Sequence, residues 1–231
     1  MLSTVAKCYR LCPIEVITWG EWVSDVTKQN TALLVGFFAL ALTASTASAG
    51  SLKGEVAVTG KKKLKSIVVY LEGAGEGRKD HAPVTIRQRD RVFKPKFSVL
   101  VKGAKVKFAN DELQDIDHNV YSLSKTNKFD VGLLAKGNTH DVLFDKLGPV
   151  KYYCSVHKNM EGALVVVPTP HFVHLATPGP FTIENVPAGD WVAKAVVSHR
   201  RYAASPVKVT IADGQDASIT IAVGRKKRRK K

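Results

Sequence analysis

Three metal-binding donors fall within seven residues at Cys154-Ser155-Val156-His157-Lys158-Asn159-Met160. A thiolate, an imidazole and a thioether are spaced Cys-x2-His-x2-Met. Strand-like runs flank them, Val150-Lys151-Tyr152-Tyr153 before and Ala163-Leu164-Val165-Val166-Val167 after. Donors at a hairpin tip make a natural soft-metal site. Thiolate plus imidazole with a weak thioether suits copper better than zinc, calcium or magnesium. The remaining donor must come from elsewhere in the chain, and His118 in Asp117-His118-Asn119-Val120 is the candidate.

The cysteine inventory supports metal ligation. The chain has Cys8, Cys12 and Cys154. Residues 31–44 form an uncharged apolar run, too short for a comfortable membrane span. Small residues follow, ending in Ala47-Ser48-Ala49 before Gly50. Residues 1–49 therefore read as a secretory signal peptide, and the protein as periplasmic or secreted. The leader is long and carries Glu15, Glu21 and Asp25, so one reading is a misassigned start, with translation beginning at Val26. Another is a short N-terminal membrane anchor that keeps its leader. Cleavage removes Cys8 and Cys12, leaving Cys154 alone where thiols are oxidised. A lone thiol there has no internal disulfide partner. A buried inert cysteine explains its survival but not the histidine and methionine that follow.

Lys and Arg number 35 against 20 Asp and Glu, a net charge of +15. Seven of those charges lie in the tail Arg225–Lys231, so the body is about +8. Like charges this dense are expected to leave residues 225–231 disordered. They suit an anionic envelope surface or an acidic partner, or stay merely solvated. Export makes nucleic acid an improbable partner.

The elements that must hold the donors are strands. Short β-branched and aromatic runs recur between Gly, Pro, Asn and Asp, and no amphipathic helix stands out. Examples are 66–71, 84–87, 98–101, 105–108, 142–144 and 163–167. Prolines at 168, 170, 178 and 180 break the rhythm and divide the chain in two. Only four strands read out of residues 181–223, few for an independent sandwich. Residues 50–76 contain a strand-turn-strand unit that can supply the rest. The expected organisation is a metal module at 80–168, inserted into a second sandwich made of 50–76 and 171–224.

The metal module resembles the cupredoxins, small type 1 copper proteins that include plastocyanin and amicyanin. The resemblance covers roughly residues 82–168. It runs through Phe93-Lys94-Pro95, Val101 to Asp111, Asp117-His118-Asn119-Val120 and Cys154-x2-His157-x2-Met160-x-Gly162. The short gap before Met160 is most like amicyanin. The resemblance implies an all-β Greek-key sandwich holding one copper ion. It implies His118, Cys154 and His157 as strong in-plane ligands and Met160 as a weak axial one. It also gives Asn119 the role of tying the two ligand loops together. The segment Phe181-Thr182-Ile183-Glu184-Asn185-Val186-Pro187-Ala188-Gly189, with Gly179 before it, resembles carboxypeptidase-regulatory-like or transthyretin-like sandwiches. Proteins joining these two modules are often labelled methylamine-utilisation or plastocyanin-like proteins.

The reading that follows is a periplasmic electron carrier, not an enzyme, cycling Cu(I)/Cu(II) with His157 as the electron port. Lys158, Lys128 and Lys136 are expected near that port, steering an acidic redox partner. The alternatives are a copper storage or delivery protein, and a cell-envelope interaction protein with a structural copper. Of the other histidines, His140 reads as an exposed residue in a turn between strands. His171 and His174 have an i, i+3 spacing, but the prolines around them oppose a helix. His81 and His199 read as surface residues.

Overall fold

Alternation of apolar and polar residues along 17 strands builds the described part of the protein. The computed structural model describes residues 48–60, 64–73 and 83–226. The leader and most of the basic tail, its last five residues, lie outside these, as do His81 and most of the crossing after Gly73. The strands are β1 (Gly50–Val58), β2 (Ile67–Gly73), β3 (Val84–Arg89), β4 (Val92–Lys94), β5 (Phe97–Val101) and β6 (Ala104–Asn110). Next come β7 (His118–Leu123), β8 (Lys128–Leu134), β9 (Thr139–Phe144), β10 (Gly148–Tyr153), β11 (Glu161–Val167) and β12 (Phe172–Leu175). The last are β13 (Pro180–Val186), β14 (Gly189–Val197), β15 (Tyr202–Ala204), β16 (Val207–Ile211) and β17 (Ala217–Arg225). Among the described residues there is no helix, so the fold is all-β.

Four sheets result. Two belong to the middle of the chain: β5-β11-β10-β7-β8 and β4-β3-β6-β9. They face each other across a core of Ile86, Phe93, Phe108, Phe144, Tyr152 and Leu164, all buried. The pairs β3–β6 and β5–β11 are parallel and the others antiparallel, the mixed pairing left when crossovers join two sheets of a sandwich. The other two sheets are β13-β1-β17-β15 and β12-β2-β14-β16. Strand β1 pairs antiparallel with β13 and parallel with β17, and β2 pairs antiparallel with β12 and β14. The start of the described chain is thus hydrogen-bonded to its end. Their core contains Leu52, Ile67, Leu71, Phe181, Trp191 and Ile221.

Strand β11 serves two cores at once. Side chains alternate across a strand. Leu164 and Val166 enter the core behind the metal loop, whereas Val165 and Val167 turn the other way. There they meet Val68 of β2 and Val101 of β5, with Tyr70, Phe97 and Phe172 packed around them. Burying each such valine contributes about 1.5–3 kcal/mol. The Thr169 hydroxyl donates to the Leu71 carbonyl at 2.6 Å, and the Leu71 amide donates to the His171 carbonyl at 2.9 Å.

Several elements differ from the sequence reading. His140 lies within β9, opposite Phe108, and its side chain is exposed. The strand begins three residues earlier than its apolar part because Thr139, His140 and Asp141 face solvent. Strand β12 forms between the prolines, where backbone pairing with β2 overrides them. Its His174 lies over the ring of Phe97, with centroids 4.4 Å apart, and His171 meets Trp191 edge-on at 5.3 Å. Burial holds both imidazoles below their ordinary titration range. His199 is half-buried against Tyr202 rather than free on the surface.

Candidate metal centre

The site forms at one end of the middle sandwich, where four connections converge. The β10–β11 hairpin carries Cys154, His157 and Met160 at its tip. The Cys154 amide donates to the Met160 carbonyl at 3.1 Å, and the Met160 amide to the His157 carbonyl at 3.4 Å. Asn159 takes a left-handed conformation (φ 67°), and asparagine tolerates it better than most residues. The loop therefore curls back, bringing the thiol and imidazole to the same side. His118, the first residue of β7, reaches them from the neighbouring strand.

The three donor atoms form a small triangle. His118 Nδ1 lies 3.7 Å from Cys154 Sγ and 3.2 Å from His157 Nδ1, and Cys154 Sγ lies 3.9 Å from His157 Nδ1. Those sides give a circumcentre about 2.1 Å from each vertex, within the range of first-row metal–imidazole bonds and slightly short of a metal–thiolate bond. The group can therefore hold a metal ion without rearranging. His118 is fully buried and Cys154 nearly so, while His157 is half-buried and borders an open cleft. Burial, then the proximity of His118 and Arg91, hold His157 below its ordinary range despite the opposing pull of Glu112. Met160 is buried in the same core cluster as Cys154 and lines the same cleft.

A hydrogen-bonded frame fixes the donors. The Asn119 side-chain oxygen accepts from the Ser155 amide at 3.0 Å, joining the strand of one histidine to the loop of the thiolate. Its nitrogen donates to Asp130 Oδ1 at 2.8 Å, and its carbonyl accepts from Gln88 Nε2 at 3.2 Å. Asn110 shapes the loop leading to His118. Its side-chain nitrogen donates to the Ile116 and Leu134 carbonyls, both at 2.8 Å, and its oxygen accepts from the Glu112 amide at 3.2 Å.

Glu112 is the principal residue that sequence reasoning missed. Its carboxylate, 8% exposed, lies 2.9 Å from His118 Nε2. The amides of Asp90 and Arg91, the tip of the β3–β4 hairpin, donate to it at 3.0 and 2.8 Å. Burial pushes this carboxyl up, but the bonds from Arg91, His118 and Asp90 outweigh it and hold it below the usual range. The only sequence signal is an acid two residues after the end of β6, too common to single it out.

The lysines divide. Lys158 sits in the ligand loop, and Lys136 lies at the site end, its Nζ donating to the Leu113 carbonyl at 2.6 Å. Lys128 does not join them. It pairs with Leu123 at the far end of the β7–β8 hairpin, while His118 pairs with Leu134. Five strand steps separate Leu123 from His118, about 17 Å. Unexpectedly exposed Leu113, Leu133 and Val156 belong to elements around the site instead.

No family model and no curated protein matches the chain. Solved structures do. A purple cupredoxin from Nitrosopumilus maritimus is 23% identical over 36% of this chain and 99% of its own, with a TM-score of 0.34. An oxidised amicyanin variant is 13% identical over 43% of this chain and 98% of its own, with a TM-score of 0.34. A copper-containing nitrite reductase from Thermus scotoductus SA-01 is 21% identical over 48% of this chain, which spans 28% of that enzyme's chain (TM-score 0.36).

Proposed function

We propose that the protein is an exported copper protein that carries single electrons. The convergence of His118 Nδ1, Cys154 Sγ and His157 Nδ1 into one triangle carries this reading. Copper held by these donors, with Met160 as a weak fourth, supplies a Cu(I)/Cu(II) couple in a ligand set intermediate between the preferences of the two states. Four protein donors leave no open position for a substrate, so the reading is a carrier and not an enzyme.

The chain's own residues do the rest. Asn119 holds the two ligand-bearing segments at a fixed spacing. The buried faces of Cys154, Met160 and His118 exclude water. His157, the one donor of the triangle that is not buried, is the edge through which an electron reaches a partner. Lys158 and Lys136 add positive charge near that edge and favour an acidic redox partner. On this reading the β1-β2 and β12–β17 strands form the regulatory-like sandwich into which the copper module is inserted, and the protein works in the periplasm. The basic tail supplies contact with an anionic envelope surface.

The test is the visible and EPR spectrum of the Cu(II)-loaded full chain beside Cys154→Ser. An intense thiolate-to-copper band with small copper hyperfine splitting, lost in the variant, is expected. A weak band with ordinary tetragonal splitting refutes electron carriage. A copper storage or delivery role is the second reading, favoured by the half-exposure of His157, which gives an acceptor access to the ion. Rapid copper loss to a chelator with irreversible voltammetry would select it.

A further inference from the structure

The carboxylate of Glu112 contacts His118 on the side of the ring opposite the donor triangle. Nε2 meets Glu112 Oε1 at 2.9 Å, and Nδ1 faces Cys154 and His157. An ionised carboxylate only accepts hydrogen bonds. Its partner nitrogen must therefore carry the proton, which leaves Nδ1 with a lone pair for a metal. Glu112 is itself immobilised, because backbone amides of the β3–β4 turn, in the sheet facing that of His118, grip both its oxygens, Asp90 on one and Arg91 on the other. Both of those residues have positive φ (58° and 57°), the conformation of a tight hairpin turn. The ligand is thus fixed through a side chain anchored in the backbone of the opposite sheet.

The same arrangement places a negative charge in a buried position, separated from the donor triangle by one imidazole ring. Such a charge interacts more strongly with an ion than it would in water. It favours the more positive oxidation state. Exposed carboxylates near the site, such as Glu161, are screened and contribute far less.

We infer that Glu112 is a positioning residue that holds His118 in its Nε2–H tautomer with Nδ1 free for metal, and that its buried charge lowers the reduction potential of the site. The second half rests on the copper reading above; the first does not. Two experiments on the full chain separate them.

The first is nitrogen NMR of the metal-free protein at neutral pH. His118 is expected as the Nε2–H tautomer in the native chain, and that preference is lost in Glu112→Leu. Finding Nδ1–H in the native chain, or an unchanged tautomer in the variant, overturns the positioning role. The native measurement holds even if the variant fails to fold. The second is the midpoint potential of the copper-loaded protein beside Glu112→Gln and Glu161→Gln. Glu112→Gln keeps the acceptor oxygen but removes the charge. It is expected to favour Cu(I) over Cu(II) at least tenfold more than the native protein, a rise of about 59 mV for one electron. A shift no larger than that of Glu161→Gln overturns the charge argument. If the native chain gives no reversible copper couple, the proposed function fails, and the tautomer result still decides the positioning role.

Discussion

Replacing Gly162 with alanine tests how the metal loop is supported. Gly162 is the second residue of β11 and the cross-strand partner of Tyr152. A Cβ built there falls against the hydroxyl end of the Tyr152 ring, well inside contact distance of Cε2, Cζ and the hydroxyl oxygen. The ring has nowhere to go. Tyr152 is fully buried, with Phe93 edge-on at 4.8 Å and Phe108 at 5.5 Å. Overpacking of this kind costs about 1–3 kcal/mol. Expelling the ring instead forfeits the burial of an aromatic side chain, about 3–5 kcal/mol. A loss of about 3 kcal/mol is therefore expected for Gly162→Ala, where the two ranges meet. In a chain of this size that lowers Tm by roughly 6–12 °C. Cys154 and Met160 follow and precede these two strands, so copper should also leave the variant faster. The assay is urea unfolding of the metal-free full chain with a double-mutant cycle. Tyr152→Leu removes the clashing atoms, so the penalty for Gly162→Ala should shrink in that background. A penalty below about 0.5 kcal/mol in the native background, or one unchanged beside Tyr152→Leu, refutes the steric argument.

Tyr152→Phe should be nearly neutral in the same assay, because the hydroxyl reaches only the Pro95 carbonyl at 3.5 Å, too long to contribute much. Asn119→Ala should cost about 1–3 kcal/mol by leaving the Ser155 amide without its partner, and should speed copper loss to a chelator; stopped-flow release and urea unfolding check the two effects. Copper present at 1,000 times its dissociation constant should stabilise the chain by about 4 kcal/mol, with the gain lost in Cys154→Ser, as calorimetry will show. Acid should weaken the metal-free protein through His171 and His174. Burial lowers both below the ordinary value of 6.5, so the stability of keeping them neutral is present above that pH. It is lost as pH falls through the lowered folded values. Urea midpoints between pH 8 and 5 should therefore decline less in a chain carrying His171→Phe and His174→Phe.

The parts of this protein that were legible in the sequence are those built from local spacing. Cys154, His157 and Met160 sit close enough in the chain for one loop to gather them. Leu164 and Val166 alternate with Val165 and Val167, as a strand buried on both faces requires. What was hidden depends on which segments lie side by side. Glu112 meets His118 and the Asp90–Arg91 turn only because β3 runs parallel to β6 and brings the hairpin tip beside the loop. Lys128 was misplaced because β8 went unrecognised, although Phe129 and Val131 alternate with exposed residues. Once β8 pairs antiparallel with β7, Lys128 must lie at the opposite end from His118. Strands β12 and β15 are short, and their proline-rich or polar surroundings mask them until a partner strand supplies the hydrogen bonds.

The double allegiance of β11 has a mechanical result. The strand that leaves the donor loop is clamped between two cores, an aromatic-rich one on one face and a cluster of valines on the other. Neither sandwich can rotate about it without opening a void among close-packed side chains. The donor triangle is thus carried on a rigid bracket, not at the end of a tether. The orientation of the second sandwich therefore fixes the direction in which His157 points.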